Sequence, residues 1–239
     1  MAERTSGARK IVIAIDGPAG SGKSTLAALL ARKYNYTNIE TGAMYRALAF
    51  KAVAQNISLD DEAKLAALAR QSQIDLVPRP EGNRVLLDGA DVTESLRKQE
   101  VTEAASKVSV HPMVREWMVA SQRAMGAGGG IVMEGRDIGT KVFPDAEVKI
   151  FLDAAPEIRG TRRFMESPAS AANPSAKQEA SVVAELQARD QRDRTRANSP
   201  LVPAADAVLI DSTHLTLDQV LARALELIDA RLEKYSSRA

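Results

Sequence analysis

The sequence predicts an α/β fold, a central parallel sheet of about five strands with helices on both faces, because strand-length apolar runs alternate with stretches of helical periodicity. Two further observations support it. The runs are apolar at consecutive rather than alternate positions, as in strands covered on both sides. The first of them, Ile-Val-Ile-Ala-Ile at 11–15, leads directly into a glycine-rich turn that opens a helix. A chain of 239 residues, 45% hydrophobic and 26% charged, is long enough for one large core with an inserted subdomain.

Residues 1–9 are small, polar and charged and are expected to form a disordered tip. After the strand at 11–15, residues 24–34 carry apolar side chains at helical spacing. A strand is expected near Asn38 and a second helix over 42–55, and Ser58 with Asp61 three residues on predicts a cap for a third helix reaching Arg70. Between Gln73 and Val92 the pattern shortens: Ile74, Leu76, Val85 and Leu87 are separated by Pro78, Pro80, Gly82 and Gly89, which predicts a small antiparallel insert. Helical patterns resume as far as Met125, and Gly126 to Gly130 break them. Apolar runs at 131–133, 148–152 and 207–210 supply the remaining strands.

Residues 166–178 are small, polar and punctuated by proline, and read either as a passive linker or as the tip of a moving lid. Thr216 with Gln219 caps a final helix whose Val220, Leu221, Ala224, Leu225, Ile228 and Leu232 share one face. Trp117 and the methionines read as packing, and His111 before Pro112 as a helix start.

Composition excludes several function classes. Lys and Arg number 32 against 31 Asp and Glu, a net charge of +1, so no global basic field exists to hold nucleic acid or an anionic membrane, and neither is an expected partner. No apolar run approaches the roughly 18 residues of a membrane span. The expectation is a cytoplasmic monomer. With no cysteine and only His111 and His214, a disulfide scaffold, a thiol nucleophile and a histidine-built metal site are not expected.

The most specific motif is Gly17-Pro18-Ala19-Gly20-Ser21-Gly22-Lys23-Ser24-Thr25, a full match to G-x-x-x-x-G-K-[ST] in its required place between strand and helix. Glycines let consecutive backbone N–H groups turn toward a phosphate, and the helix N-terminus adds its positive dipole end. Lys23 supplies a cation for the outer phosphates and Ser24 a hydroxyl for Mg²⁺, with Asp16, Glu134 and Asp153 all open as the acidic partner. The expected ligand is a nucleoside triphosphate and the fold is a P-loop NTPase. No Asn-Lys-x-Asp motif is present to read guanine.

Arginines are plentiful: Arg46, Arg115, Arg136, Arg159, Arg162, Arg163, Arg189, Arg192, Arg194 and Arg196. Their forks grip phosphate oxygens and screen repulsion between two anionic substrates. On a helix, Arg189, Asp193 and Arg196 share one face, and Asp190 with Arg194 is expected to pair at i, i+4 on another.

Taken together, the glycine loop, Thr-Gly-Ala-Met-Tyr-Arg at 41–46, Gly-Arg-Asp-Ile-Gly-Thr at 135–140, Lys-Ile-Phe-Leu-Asp-Ala at 149–154 and the arginine run at 189–196 followed by Ser-Pro-Leu resemble bacterial cytidylate kinase, in order from Lys10 to Arg231. The resemblance implies phosphoryl transfer from ATP to CMP or dCMP with Mg²⁺, in pyrimidine nucleotide metabolism. It implies a domain over 10–235, with a core at 10–40, 130–155 and 200–235, a monophosphate-binding region with the β-rich insert at 41–129, and an Arg-rich lid at 156–198.

It also implies roles for matched positions. Lys23, Arg136, Arg162 and Arg196 are the expected catalytic residues, and residues 17–25 the ATP site with Ser24 on the metal. Arg46, Arg136 and Arg196 are expected to hold the CMP phosphate, with Thr41 and Tyr45 close to the acceptor. Ser106, Arg115 and Asp137 are expected to read the cytosine edge, and Arg189 and Asp193 to approach the sugar. Arg159, Arg162 and Arg163 are expected to close over the transferring group. Glu40 departs from the aspartate common in the family at that place.

Overall fold

The computed structural model describes residues 10–79, 82–165 and 176–236. The expected disordered tip, Pro80 and most of the linker or lid tip lie outside these residues. In chain order the elements are β1 (Val12–Asp16), α1 (Lys23–Tyr34), β2 (Thr37–Glu40), α2 (Thr41–Ala54), α3 (Glu62–Arg70), β3 (Ile74–Val77), β4 (Arg84–Leu87), β5 (Ala90–Asp91), α4 (Gln99–Val108) and α5 (Pro112–Gly126). They continue as β6 (Ile131–Gly135), β7 (Val148–Asp153), α6 (Pro156–Met165), α7 (Ala176–Thr195), β8 (Val208–Asp211) and α8 (Leu217–Ser236).

Five strands form one parallel sheet in the order β2-β6-β1-β7-β8. Consecutive apolar residues place side chains on both faces of β1. Ile13 and Ile15 pack with Leu26 and Leu30 of α1 and with Val220, Ala224 and Ile228 of α8, while Ala14 turns to the opposite face among Ile39, Met133 and Ile138. The strands β3, β4 and β5 form a separate antiparallel sheet, as the alternating pattern predicts. Ile74, Val85 and Leu87 of that insert bury against α2 and α4.

Side-chain caps open two of the helices, α3 and α8. Thr216 and Gln219 exchange hydrogen bonds in the expected box, Thr216 N–H to Gln219 Oε1 at 2.9 Å and Gln219 N–H to Thr216 Oγ1 at 3.3 Å. The third helix corrects the expectation: Asp61, not Ser58, is its cap, accepting from Lys64 N–H at 3.0 Å. Ser58 lies one turn earlier and its hydroxyl accepts from Asp60 N–H instead. The acidic partner of the box thus takes the cap position, because its carboxylate reaches the free amide three residues on.

This arrangement positions a site. β1 is the central strand, and in register its last residue Asp16 lies beside Gly135 of β6 and Phe151 of β7. The glycine loop therefore leaves the middle of the sheet at the carboxyl edge, where crevices form in parallel α/β folds.

Candidate functional site

The glycine loop can form only with glycine at its tight positions. Gly17 has φ +151°, and a Cβ there would stand 2.0 Å from the Leu152 carbonyl oxygen of β7. α1 begins at Lys23 without a side-chain cap, so its first N–H groups are available to an anion. Lys23 is buried and its ammonium donates to the Pro18 carbonyl at 2.6 Å, folded over the loop. Burial, followed by repulsion from Arg136, pushes its pKa down to about 7.

The three acidic candidates beside the loop separate clearly. Both oxygens of Asp16 are used by the backbone, accepting from Ile138 N–H at 2.8 Å and Gly139 N–H at 2.7 Å. Burial raises its pKa to about 6 despite those donors. Asp153 accepts from the Ala154 amide. Only Glu134 meets Ser24, whose hydroxyl donates to Glu134 Oε1 at 2.9 Å, and burial raises its carboxyl above the usual range. A hydroxyl beside one buried carboxylate fits a divalent cation that takes one or two protein oxygens and completes its shell with water and phosphate. Among the described residues no three acidic or histidine side chains cluster to hold a metal alone.

Opposite the loop, arginines from four segments converge. Arg46 comes from α2, Arg136 from the end of β6, and Arg189 and Arg196 from α7 and its exit. Arg189 is lowered to about 10, first by burial and then by the charges of Arg136, Arg46 and Arg163, with Asp193 opposing. Lys23 in turn feels Arg136 and Arg189, so these cations share one space. Two carboxylates hold three of them. Glu40 meets Arg46 at 2.5 Å, and Asp193 meets Arg136 at 2.8 Å and Arg196 at 3.6 Å. Burial pushes the Asp193 carboxyl up, but Arg136, Arg189 and Arg196 outweigh it and leave the pKa below its ordinary value. Among the described residues, the buried Arg189 Nε and Arg196 Nη2 have no hydrogen-bond partner. A site with such donors is built for an anion.

Beside this cluster lies a second pair. Arg115 Nη2 meets Asp137 Oδ2 at 2.5 Å, both groups buried, and Arg196 approaches Asp137 at 3.9 Å. The Arg115 guanidinium carbon stands 5.8 Å from the Tyr45 ring centroid, within cation–π range. Burial pushes the Tyr45 hydroxyl up to about 12, so it stays a protonated donor.

The structure brings Lys23, Tyr45, Arg46, Arg115, Arg136, Asp137, Arg189, Asp193 and Arg196 into one connected network. Other expected residues have protein partners of their own. Thr41 donates its hydroxyl to the Glu134 carbonyl at 2.8 Å, tying α2 to β6. Arg162 spans the hydroxyl and carbonyl of Ser212, at 3.0 and 2.8 Å. Ser106 is buried on α4, where its hydroxyl accepts from Arg192 Nε and Nη2 at 3.3 and 3.2 Å.

The expected Asp190–Arg194 pair does not form. Asp190 turns inward to Arg159 at 2.5 Å, and Arg194 reaches toward Asp153 at 3.7 Å. Turned inward, the Asp190 carboxylate meets both a buried guanidinium and the Ala19 N–H, whereas an exposed helix-face pair contributes little in water. Sequence reasoning missed the Arg192 contact to Ser106 as well, because its partner lies 86 positions away.

The cytidylate kinase family model matches residues 13–230. A cytidylate kinase of Lysinibacillus sphaericus is 46% identical over 94% of this chain and 99% of its own length. One from Geobacillus thermodenitrificans is 48% identical over the same shares. Among solved structures, a gluconokinase from Sinorhizobium meliloti superposes with a TM-score of 0.51 at 13% identity, over 97% of this chain and 98% of that one. At that identity the likeness shows the fold alone.

Proposed function

The chain belongs to the cytidylate kinase family, and from that premise we infer that it transfers the terminal phosphoryl group of ATP to CMP or dCMP, giving ADP and CDP or dCDP. The observation that carries the assignment of residues is the convergence of Arg46, Arg136, Arg189 and Arg196 on the space beside Lys23, with buried donors left over.

In this reading residues 17–25 cradle the ATP phosphates. Lys23 swings from the Pro18 carbonyl onto the outer phosphates, where the anion restores its proton affinity. Mg²⁺ would be held by Ser24 with Glu134 beside it, and it supplies neutralisation of charge on the phosphates. Arg46, Arg136 and Arg196 grip the acceptor phosphate, and Arg189 and Asp193 approach its sugar. The acceptor phosphate is itself the nucleophile and is already anionic near neutral pH, so no general base is needed.

Asp137 accepts from the cytosine amino group, while Arg115 donates to the ring acceptors and Ser106 lines the same edge. Tyr45 packs beside the acceptor under Arg115. Residues 41–129 form the acceptor region, residues 156–198 the lid, and residues 10–40, 130–155 and 200–235 the core.

No helix among the described residues is long and apolar enough to cross a membrane. The expected substrates ATP and CMP are small molecules, and the net charge of +1 suits no extended polyanion.

Calorimetry tests the acceptor site. Arg136→Ala is expected to weaken CMP binding by roughly a hundredfold, because a charge-assisted fork is lost and Asp193 is left facing the phosphate, while ATP binding changes much less. Equal loss of both nucleotides would remove Arg136 from the acceptor side.

A further inference from the structure

Arg159 and Asp190 are among the most buried charged side chains of the protein, 3% and 5% exposed. They come from α6 and α7 respectively. Arg159 Nη1 donates both to Asp190 Oδ2 at 2.5 Å and to the carbonyl of Ala19 at 2.8 Å, and Nε donates to the Ala154 carbonyl at 2.8 Å. The other oxygen of Asp190 accepts from the Ala19 N–H at 3.3 Å. Both backbone groups of one residue in the middle of the glycine loop are therefore held by a single ion pair.

The two helices also press on the loop and on each other. A Cβ on Gly20 would stand 3.0 Å from the Arg159 carbonyl oxygen, and one on Gly160 would stand 2.2 Å from Val183 Cγ2. α6 and α7 thus meet at a contact that excludes even a methyl group, and α6 rests its backbone against the loop. A buried ion pair is weak as a source of stability, since well-packed apolar residues serve as well. What this one adds is direction: it fixes the plane of the peptide groups on either side of Ala19.

We propose that Arg159 and Asp190 are a positioning pair that holds the glycine loop in its phosphate-cradling shape and ties that shape to the placement of α6 and α7. The pair acts through the Ala19 main chain and touches no substrate. It rests on the reading of this loop as the ATP site. Arg159 accordingly differs from its expected role over the transferring group, and Asp190 gains a role that its helix position alone does not suggest.

The test compares the wild-type chain with Asp190→Asn, Asp190→Glu and Arg159→Lys, measuring ATP and CMP dissociation constants by calorimetry together with KM and kcat. Asp190→Asn and Arg159→Lys are each expected to weaken ATP binding by about tenfold or more, as expected for a lost charge-assisted bond, with CMP binding within about twofold of wild type. Asp190→Glu should recover part of the ATP affinity, since its carboxylate can still meet Arg159. Arg159→Lys keeps the buried charges balanced and carries the test if removing the Asp190 charge unfolds the chain. Folded variants with a lower Tm but unchanged ATP affinity would overturn the proposal, as would equal weakening of ATP and CMP. Turnover of CMP by the wild-type chain upholds the functional reading in either case. A wild-type chain that binds no ATP would overturn that reading and the positioning role together.

Discussion

Replacing Lys23 with methionine is expected to lower kcat by about a thousandfold, the upper range for loss of one preorganised charge at a developing anion. The thioether fills the same volume, so the loop keeps its packing while the cation disappears. Repeating the measurement over a range of ATP concentrations separates the effect from simple loss of binding, because a group that acts in transfer lowers kcat even at saturation.

The same variant has a second readout. Lys23 has a pKa near 7 in the folded protein against 10.5 for an ordinary lysine. Where the folded chain binds the proton less tightly than the unfolded one, stability rises with pH, here between about 7 and about 10.5. The buried charge costs most at or below pH 7, and the cost vanishes once both states are neutral. Lys23→Met should therefore raise the urea midpoint clearly at about pH 6.5 and much less at about pH 10. An equal gain at both would show that the charge is not what the fold bears.

Asp137→Asn is expected to lower kcat/KM for CMP by about a hundredfold to ten-thousandfold, the span seen when a site built to accept a hydrogen bond loses its match. The carboxylate is an acceptor only, and the cytosine amino group is a donor. The amide that replaces it can turn an N–H toward the base, which suits uracil better. Asp137 also holds Arg115 at 2.5 Å, so some loss with any acceptor is expected from loosening that guanidinium. The comparison between acceptors carries the claim: the CMP-to-UMP ratio should fall. Equal losses with both would show that Asp137 positions Arg115 and does not read the base.

Most of the fold is legible in the sequence because its signals are local. The buried run at 11–15 and the loop after it specify β1, the turn and α1 within about two dozen residues. The insert is equally readable, since Ile74 and Leu76 alternate with polar residues and pair with Leu87 and Val85 in the same register. What is not legible depends on long-range burial. Asp190 and Arg194 satisfy every rule for a helix-surface pair, yet Asp190 faces inward, because its partner is 31 positions away on α6. The acidic partner of Ser24 stays open in the sequence for the same reason. Asp16, Glu134 and Asp153 all lie toward strand ends, and only backbone geometry reveals that Asp16 is already occupied by two amides.

The arginine cluster falls between these cases. Its members are conspicuous as residue types and match a family pattern, but their mutual approach requires α7 to lie across the end of β6, a tertiary fact. The Arg136–Asp193 contact at 2.8 Å, across 57 positions, is what turns a charge-rich helix into one wall of a site.

The most direct measurement is ADP formation from Mg-ATP by the purified chain against CMP, dCMP, UMP, AMP, GMP and shikimate in parallel, with Lys23→Met as control. Turnover highest with CMP and dCMP, and lost in the control, is the predicted result. Silence with every acceptor in a chain that still binds ATP, or equal turnover with all of them, would contradict it.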